Sequence, residues 1–282
     1  MPEHQVRSIP ARAPARRARQ AERLVVRGAL GVLIAGSIAF VVLPILALVL
    51  QLPVDALPRV FSQRVVVDAL LLSLATATVS TAIVLMAMTP IAYVTARYAF
   101  PGRELVETLM DLPIVLPPAV AGLGLLLAFG RFGLVGQYLS VFGVSLAFTP
   151  VAVVMAQVFV ASPFYLRQAR TSFAELDPVY EAAARTLGAS RLYIFLHVTV
   201  PLTIEGLVSG TIMTFARALG EFGATILFAG NLQGRTQTMP LAIYSTMQSD
   251  LQASCALALV LVAISFGVIA AVRVTGRRRR AA

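Results

Sequence analysis

The sequence predicts an all-α integral membrane protein with six transmembrane helices, and three observations lead there. Apolar residues make up 58% of the 282 and charged residues only 13%, against about 25% charged in ordinary soluble domains. Six stretches, near 28–52, 69–96, 112–130, 146–166, 203–228 and 253–272, approach or exceed the roughly 20 apolar residues that cross a hydrocarbon core. The arginines fall mainly between those stretches and on one side of them. With both termini cytoplasmic, inside segments carry the seven arginines before residue 28, Arg97, Arg103, Arg167, Arg170, Arg185, Arg191 and the five after residue 272. Outside segments carry only Arg59, Arg64, Arg131 and Arg235. The positive-inside rule therefore places both termini in the cytoplasm.

The chain begins with a basic stretch, "ARAPARRARQAERLVVR", and residues 1–27 read as a disordered cytoplasmic tail in contact with anionic lipid. About 25 uncharged residues follow, longer than the 7–15 of a signal-peptide core, so 28–52 reads as an uncleaved first span. The net charge of +10 follows from arginines that flank spans, which speaks for bilayer orientation and against nucleic acid. All 23 basic residues are arginine. Without lysine there is no G-x-x-x-x-G-K-[ST] phosphate loop, so the chain does not hydrolyse ATP by that route. The single cysteine, Cys255, lies in an apolar run and reads as a small core residue.

Two membrane segments depart from plain apolar helix. "LPIVLPPAVAGLG" puts Pro113, Pro117 and Pro118 in the third span, followed by Gly122 and Gly124. Prolines leave carbonyls without intrahelical partners, which suits either a kinked packing helix or one beside a water-filled path. The fifth span contains Arg217 and Glu221 within "TFARALGEFGATILF". An ionised side chain at mid-bilayer costs about 2.5–3.5 kcal/mol even on the lenient insertion scale. Projected at 100° per residue, Gly206, Gly210, Met213, Arg217, Gly220, Glu221 and Ala224 share one side, opposite Val208, Ile212, Phe215, Leu219, Phe222 and Ile226. The small, charged stripe fits a local Arg217–Glu221 pair, or a path or gate in which Gly220 and Gly223 let the backbone bend. A carboxylate cannot attract a dianion, so Glu221 suits holding Arg217 or resisting a leak. The stretch 230–250, "GNLQGRTQTMPLAIYSTMQSD", reads as an external surface loop with a short helix.

The segment 167–201 is too ordered in composition to be only a connector. "PVYEAAARTLGASRLYIFLHVTVP" opens on Pro178 and strong helix formers, reaches Gly188 and then resumes an amphipathic pattern. That is a helix, a glycine stop and a second helix leading into span five. It serves either as a knob for a cytoplasmic partner or as an interfacial anchor.

These residues resemble the integral-membrane permease of type I, binding-protein-dependent ABC importers. The family's cytoplasmic signature is Glu-Ala-Ala, three residues, Gly, nine residues, then Ile-x-Leu-Pro. Counted from Gly188, Ala183 and Ala184 take the alanine positions and the closing group spans Val198 to Pro201. The glutamate position falls on Ala182, with Glu181 one residue earlier. The resemblance covers roughly 65–272 as the permease core. It narrows through "LPIVLPPAVAGLGLLLAFGRFGLVGQYL" and "FARALGEFGATILFAGNLQGRTQTMPLAIY" to molybdate permeases, with sulfate permeases carrying a related Gly-Glu-Phe/Tyr-Gly segment.

The resemblance implies a MetI-like bundle in a prokaryotic inner membrane, between basic tails at 1–27 and 273–282. Glu181, Ala182, Ala183, Ala184, Gly188, Val198 and Pro201 would form the coupling loop. Pro117, Pro118, Gly122, Arg217, Gly220, Glu221 and Gly223 would line the path or its gate. It further implies two ATPase subunits carrying ATP and Mg²⁺, a periplasmic or lipid-anchored molybdate-binding protein, and a second permease copy. No cofactor is expected on this chain. Tungstate and sulfate remain alternative cargoes.

Rival classes find less support. A membrane metalloenzyme lacks H-E-x-x-H, and the histidines are only His4 and His197. A secondary anion transporter would show internal repeats and coupling-ion carboxylates at mid-membrane, where Glu221 alone stands.

Overall fold

The computed structural model describes residues 13–51 and 64–280. Two units are distinct, Met1–Gln51 and Leu52–Ala282. In the first, α1 runs Ala13–Leu50 as one helix, and Val26–Leu50 is long and apolar enough to cross a bilayer. The disordered tail expected at 1–27 is thus helical from Ala13 onward. Alanine, arginine, glutamine and glutamate dominate Ala13–Arg23, and all four are strong helix formers. The residues before 13 lie outside the described ones.

The second unit is a helical bundle, without strands among the described residues. Its elements are α2 (Arg64–Arg97), α3 (Arg103–Val115), α4 (Pro118–Phe129), α5 (Gly136–Val141), α6 (Pro150–Glu175), α7 (Pro178–Thr186) and α8 (Arg191–Ile194). A wide π turn at Phe195–Thr199 leads into α9 (Val200–Leu219), followed by α10 (Gly223–Phe228), α11 (Met239–Met247) and α12 (Leu251–Arg280). By length and composition α2, α6 and Arg191–Leu219 qualify as spans, and Leu251–Gly267 is an apolar stretch of α12. The expected tail at 273–282 continues α12 as far as Arg280.

Two of the six expected spans are broken. The third, 112–130, is two helices bent by 114°. Leu116, before a proline, takes extended φ −68°, ψ 130°, because the following ring disfavours the helical region. Pro117 is extended too, and Pro118 starts α4, where its missing N–H costs nothing. The fifth, 203–228, ends as a helix at Leu219 and restarts at Gly223. The fourth reaches beyond its expected end at 166 to Glu175. Arg167 and Arg170 are thereby on helix α6, 2.8 Å from Asp111 and Glu107 of α3 respectively.

The core sits between α2, α6 and α9. Val84 and Ala92 of α2, Tyr165, Leu166, Ala169 and Phe173 of α6, and Leu207 of α9 form one buried cluster. Polar side chains add to it. Gln157, 1% exposed, accepts from Ser80 Oγ at 2.9 Å and donates to Thr76 Oγ1 at 3.2 Å, fastening α6 to α2. Such bonds hold membrane helices where lipid offers no hydrophobic drive. Small residues bring α9 close to α6: a Cβ on Gly210 would lie 3.1 Å from Gln168 Cβ, and one on Gly206 would collide with Ser172 Oγ.

The short helix expected within 230–250 is present as α11, but the stretch is not a surface loop. Thr236, Gln237, Thr238, Met239, Leu241 and Ala242 are buried. Met239 N donates to Ser73 Oγ of α2 at 2.7 Å, and Met239 and Ala242 pack with Val66, Ala69, Ala256 and Leu257. Cys255 is buried as expected.

Candidate functional site: a surface helical loop and the junction of two broken helices

The segment after α6 is a built loop. Asp177 accepts from Val179 N at 2.9 Å, and Pro178 takes the first helical position of α7. The helix stops at Gly188, whose φ of +82° is left-handed. A Cβ there would meet nothing within 4 Å, so conformation rather than space requires the glycine. Ser190 then caps α8 by accepting from Tyr193 N at 3.3 Å. Val200 N bonds back to Phe195 O, five residues away. Pro201 explains the wide turn, because it lacks the N–H that would bond His197 O and its ring crowds that carbonyl.

One face of this loop is apolar and open. Val179, Tyr180, Leu192 and Tyr193 are more than half exposed, and Leu187 is 88% exposed. Ala182, Ala183 and Gly188 are exposed beside them, and Ala184 is half-buried. Val198 and Pro201 are placed elsewhere, on the π turn and the first turn of α9.

Glu181 points the other way. It is buried and accepts from Thr199 Oγ1 at 2.8 Å and from Tyr93 OH at 3.4 Å. Arg97 Nη2 lies 3.6 Å from its Oε1 and also donates to Leu176 O, at 2.8 Å. Around this group Tyr93 meets Phe195 and Phe173 edge-on, with ring centroids 4.9 and 5.6 Å away. Its side chain is therefore withdrawn from the open face of the loop. Tyr93, Arg97 and Thr199 carried no sequence signal for this role, since two elements distant in sequence, α2 and the π turn, deliver them.

At the far end of α9 the second group assembles. Gly220 closes the helix, and Glu221 lies in the break. Glu221 Oε1 accepts from Ala224 N at 2.8 Å, capping α10, and Oε2 lies 2.6 Å from Arg217 Nη1. That second contact is coulombic: Oε2 is buried and accepts no aligned hydrogen bond. Glu221 is 1% exposed and Arg217 27%. The local pair exists, but across a helix end instead of within one turn, so a free backbone N–H shares in stabilising the carboxylate.

The two breaks meet. A Cβ on Gly223 would lie 2.6 Å from Pro118 Cβ, and one on Gly122 would lie 2.6 Å from Ala224 O. Pro118, Gly122 and Gly223 thus form one contact beside the Arg217–Glu221 pair, while Pro117 and Gly220 stay exposed next to it. The helical stripe projected for span five divides accordingly. Its Gly206–Gly210 part is a packing seam, Met213 is 47% exposed, and residues past Leu219 leave the projection because the helix ends there. The 20 residues of α9, about 30 Å at 1.5 Å per residue, separate this junction from the surface loop.

An all-α membrane bundle with broken spans, carrying a capped helix–glycine–helix between α6 and α9, is the transmembrane fold of type I ABC importer permeases. A solved bacterial ABC transporter involved in the import of the acidic polysaccharide alginate matches it with a TM-score of 0.75 over 93% of this chain and 99% of that one, at 14% identity. The chain belongs to the family of binding-protein-dependent transport system inner membrane components, whose pattern it matches over residues 88–281. It is 42% identical over 233 residues to the molybdenum transport system permease protein ModB of Mycobacterium tuberculosis, covering 83% of this chain and 88% of the relative. It is also 42% identical over 175 residues to the sulfate transport system permease protein CysT of Salmonella typhimurium, covering 62% and 63%.

Proposed function

We propose that this chain is the membrane-spanning subunit that passes molybdate from an external binding protein into the cytoplasm, driven by ATP hydrolysis on a separate subunit. The observation that carries the cargo is the 42% identity to a molybdenum permease along 83% of the chain. The match to the sulfate permease is shorter, and sulfate is the second reading. The open apolar face of α7 and α8 supports an ATPase as the partner, because Leu187 at 88% exposure suits burial in a groove.

In this account the partners are two ATPase subunits binding ATP and Mg²⁺, one molybdate-binding protein, periplasmic or lipid-anchored, and a second copy of this chain. The arginine distribution supports cytoplasmic termini, which puts the 178–194 region on the ATPase side. Ala182, Ala183 and Gly188 then belong to the docking surface, and Pro117, Pro118, Gly122, Arg217, Gly220, Glu221 and Gly223 to the edge of the path. Labelled molybdate uptake into vesicles holding all partners tests this: uptake should require ATP. Equal uptake without ATP would make the chain a secondary carrier.

A further inference from the structure

Glu181 sits on the helix proposed to receive the ATPase, yet its side chain is 91% shielded on the side facing the bundle. Two hydroxyl donors and a guanidinium from two other elements converge on that one carboxylate. Tyr93 and Arg97 come from the end of α2, and Thr199 comes from the π turn. Arg97 extends the group to a fourth element through the carbonyl of Leu176, at the end of α6. The π turn is where α8 could shift without α9, since it lacks the regular bonding of an α-helix. The Glu181–Thr199 bond bridges that weak point directly. Beyond it, α9 runs unbroken to Leu219 and to the Arg217–Glu221 pair.

We infer that Glu181 is a positioning residue that locks α7 to the root of α9, so that movement imposed on α7 by the ATPase reaches the junction of the broken helices. This role rests on the importer function proposed above. A docking glutamate and a locking glutamate predict different losses. Removing a docking contact costs ATPase binding, whereas releasing the lock leaves the open face formed by Tyr180, Leu187 and Leu192 in place and lets ATP turn over without moving cargo.

The experiment uses the complete complex of permease, ATPase and binding protein in liposomes, with the wild type, Glu181→Ala and Thr199→Val. Three quantities are read: co-purification of the ATPase, ATP hydrolysis, and uptake of labelled molybdate or, if the wild type carries that instead, labelled sulfate. Both variants should retain the ATPase at the wild-type ratio and hydrolyse ATP. Uptake per ATP should fall at least roughly five-fold in Glu181→Ala, the low end of common site-to-site coupling, and less in Thr199→Val. Loss of the ATPase from Glu181→Ala, with wild-type uptake per ATP in Thr199→Val, would overturn the lock. Should Glu181→Ala fail to assemble, Thr199→Val and Tyr93→Phe decide, each deleting one hydrogen bond; an unchanged ratio in both overturns it. Sulfate uptake by the wild type would change the cargo but leave the ratio measurable, so the two failures are distinguishable.

Discussion

Arg217 and Glu221 look prohibitive in a membrane span when only the sequence is considered, and the structure shows how the cost is met. The carboxylate lies at a helix end, where Ala224 N is available to it, and the guanidinium keeps 27% of its surface open. Removing one partner of a well-buried ion pair costs about 3–5 kcal/mol, and the partial exposure of Arg217 moves the expectation to the lower figure. The two partners are not equivalent, because only Glu221 also caps α10. Glu221→Ala should therefore destabilise the complex more than Arg217→Ala, and Glu221→Gln should fall between them by keeping an acceptor for Ala224 N. The double variant should lose less than the sum of the singles, since no stranded charge remains. Thermal denaturation of the detergent-solubilised complex measures the series, and strict additivity would argue against a coupled pair. If Arg217 instead steers the anion, the double variant should be as inactive in uptake as Arg217→Ala even when it is stable.

Gly188 poses the opposite problem, conformation without contact. A valine there would be forced into a left-handed backbone at about 1–3 kcal/mol, although space is free around it. Gly188→Val should insert in the membrane normally and lose ATPase co-purification. Retention of the ATPase would mean that this loop is not the docking element. Glu181 stands one residue from the family's glutamate position, which by itself argues for a smaller effect than at Gly188. Its contacts with α2 and the π turn predict the reverse for transport, though not for docking.

Among the elements, legibility followed the range of the interactions. The helix start at Pro178, the stop at Gly188 and a short helix within 230–250 were readable as local patterns. The break at Leu116–Pro118 was half readable. Its prolines announced a disturbance, but a kinked helix and a 114° bend differ only in what α4 packs against. That partner, α10, is over 100 residues away in the chain. The break at Gly220–Phe222 escaped the 100° projection because glycine in an apolar run is tolerated within membrane helices. Burial of Thr236–Thr238 was invisible because the partner is distant in sequence: Ser73, which accepts from Met239 N, is 166 positions away. A close contact between α4 and α10 should resist any added side chain. Gly122→Ala directs its methyl at the backbone of Ala224 and should cost about 1–3 kcal/mol, as overpacking does. Gly124→Ala, two residues on with nothing within 4 Å, should be near neutral. Comparable thermal stabilities for the two would contradict the packing of the two broken helices.

At the scale of the whole molecule, one copy offers one docking loop, whereas the proposed assembly has two ATPase subunits. Two permease copies are therefore expected. Native mass spectrometry of the purified complex should show two of this chain with two ATPases, and a stable, transporting complex with one copy would contradict that stoichiometry. The fold and the family were legible from composition and motifs. The Glu181 group was not, because α2, α6, α7 and the π turn meet only after folding.

The most direct measurement is initial-rate uptake of labelled molybdate into liposomes containing the permease, its ATPase and its binding protein, with ATP inside and sulfate in excess outside. Uptake should stop when ATP is withheld and persist in the presence of sulfate. Uptake that ignores ATP, or that is abolished by sulfate while labelled sulfate enters instead, would contradict the proposed function.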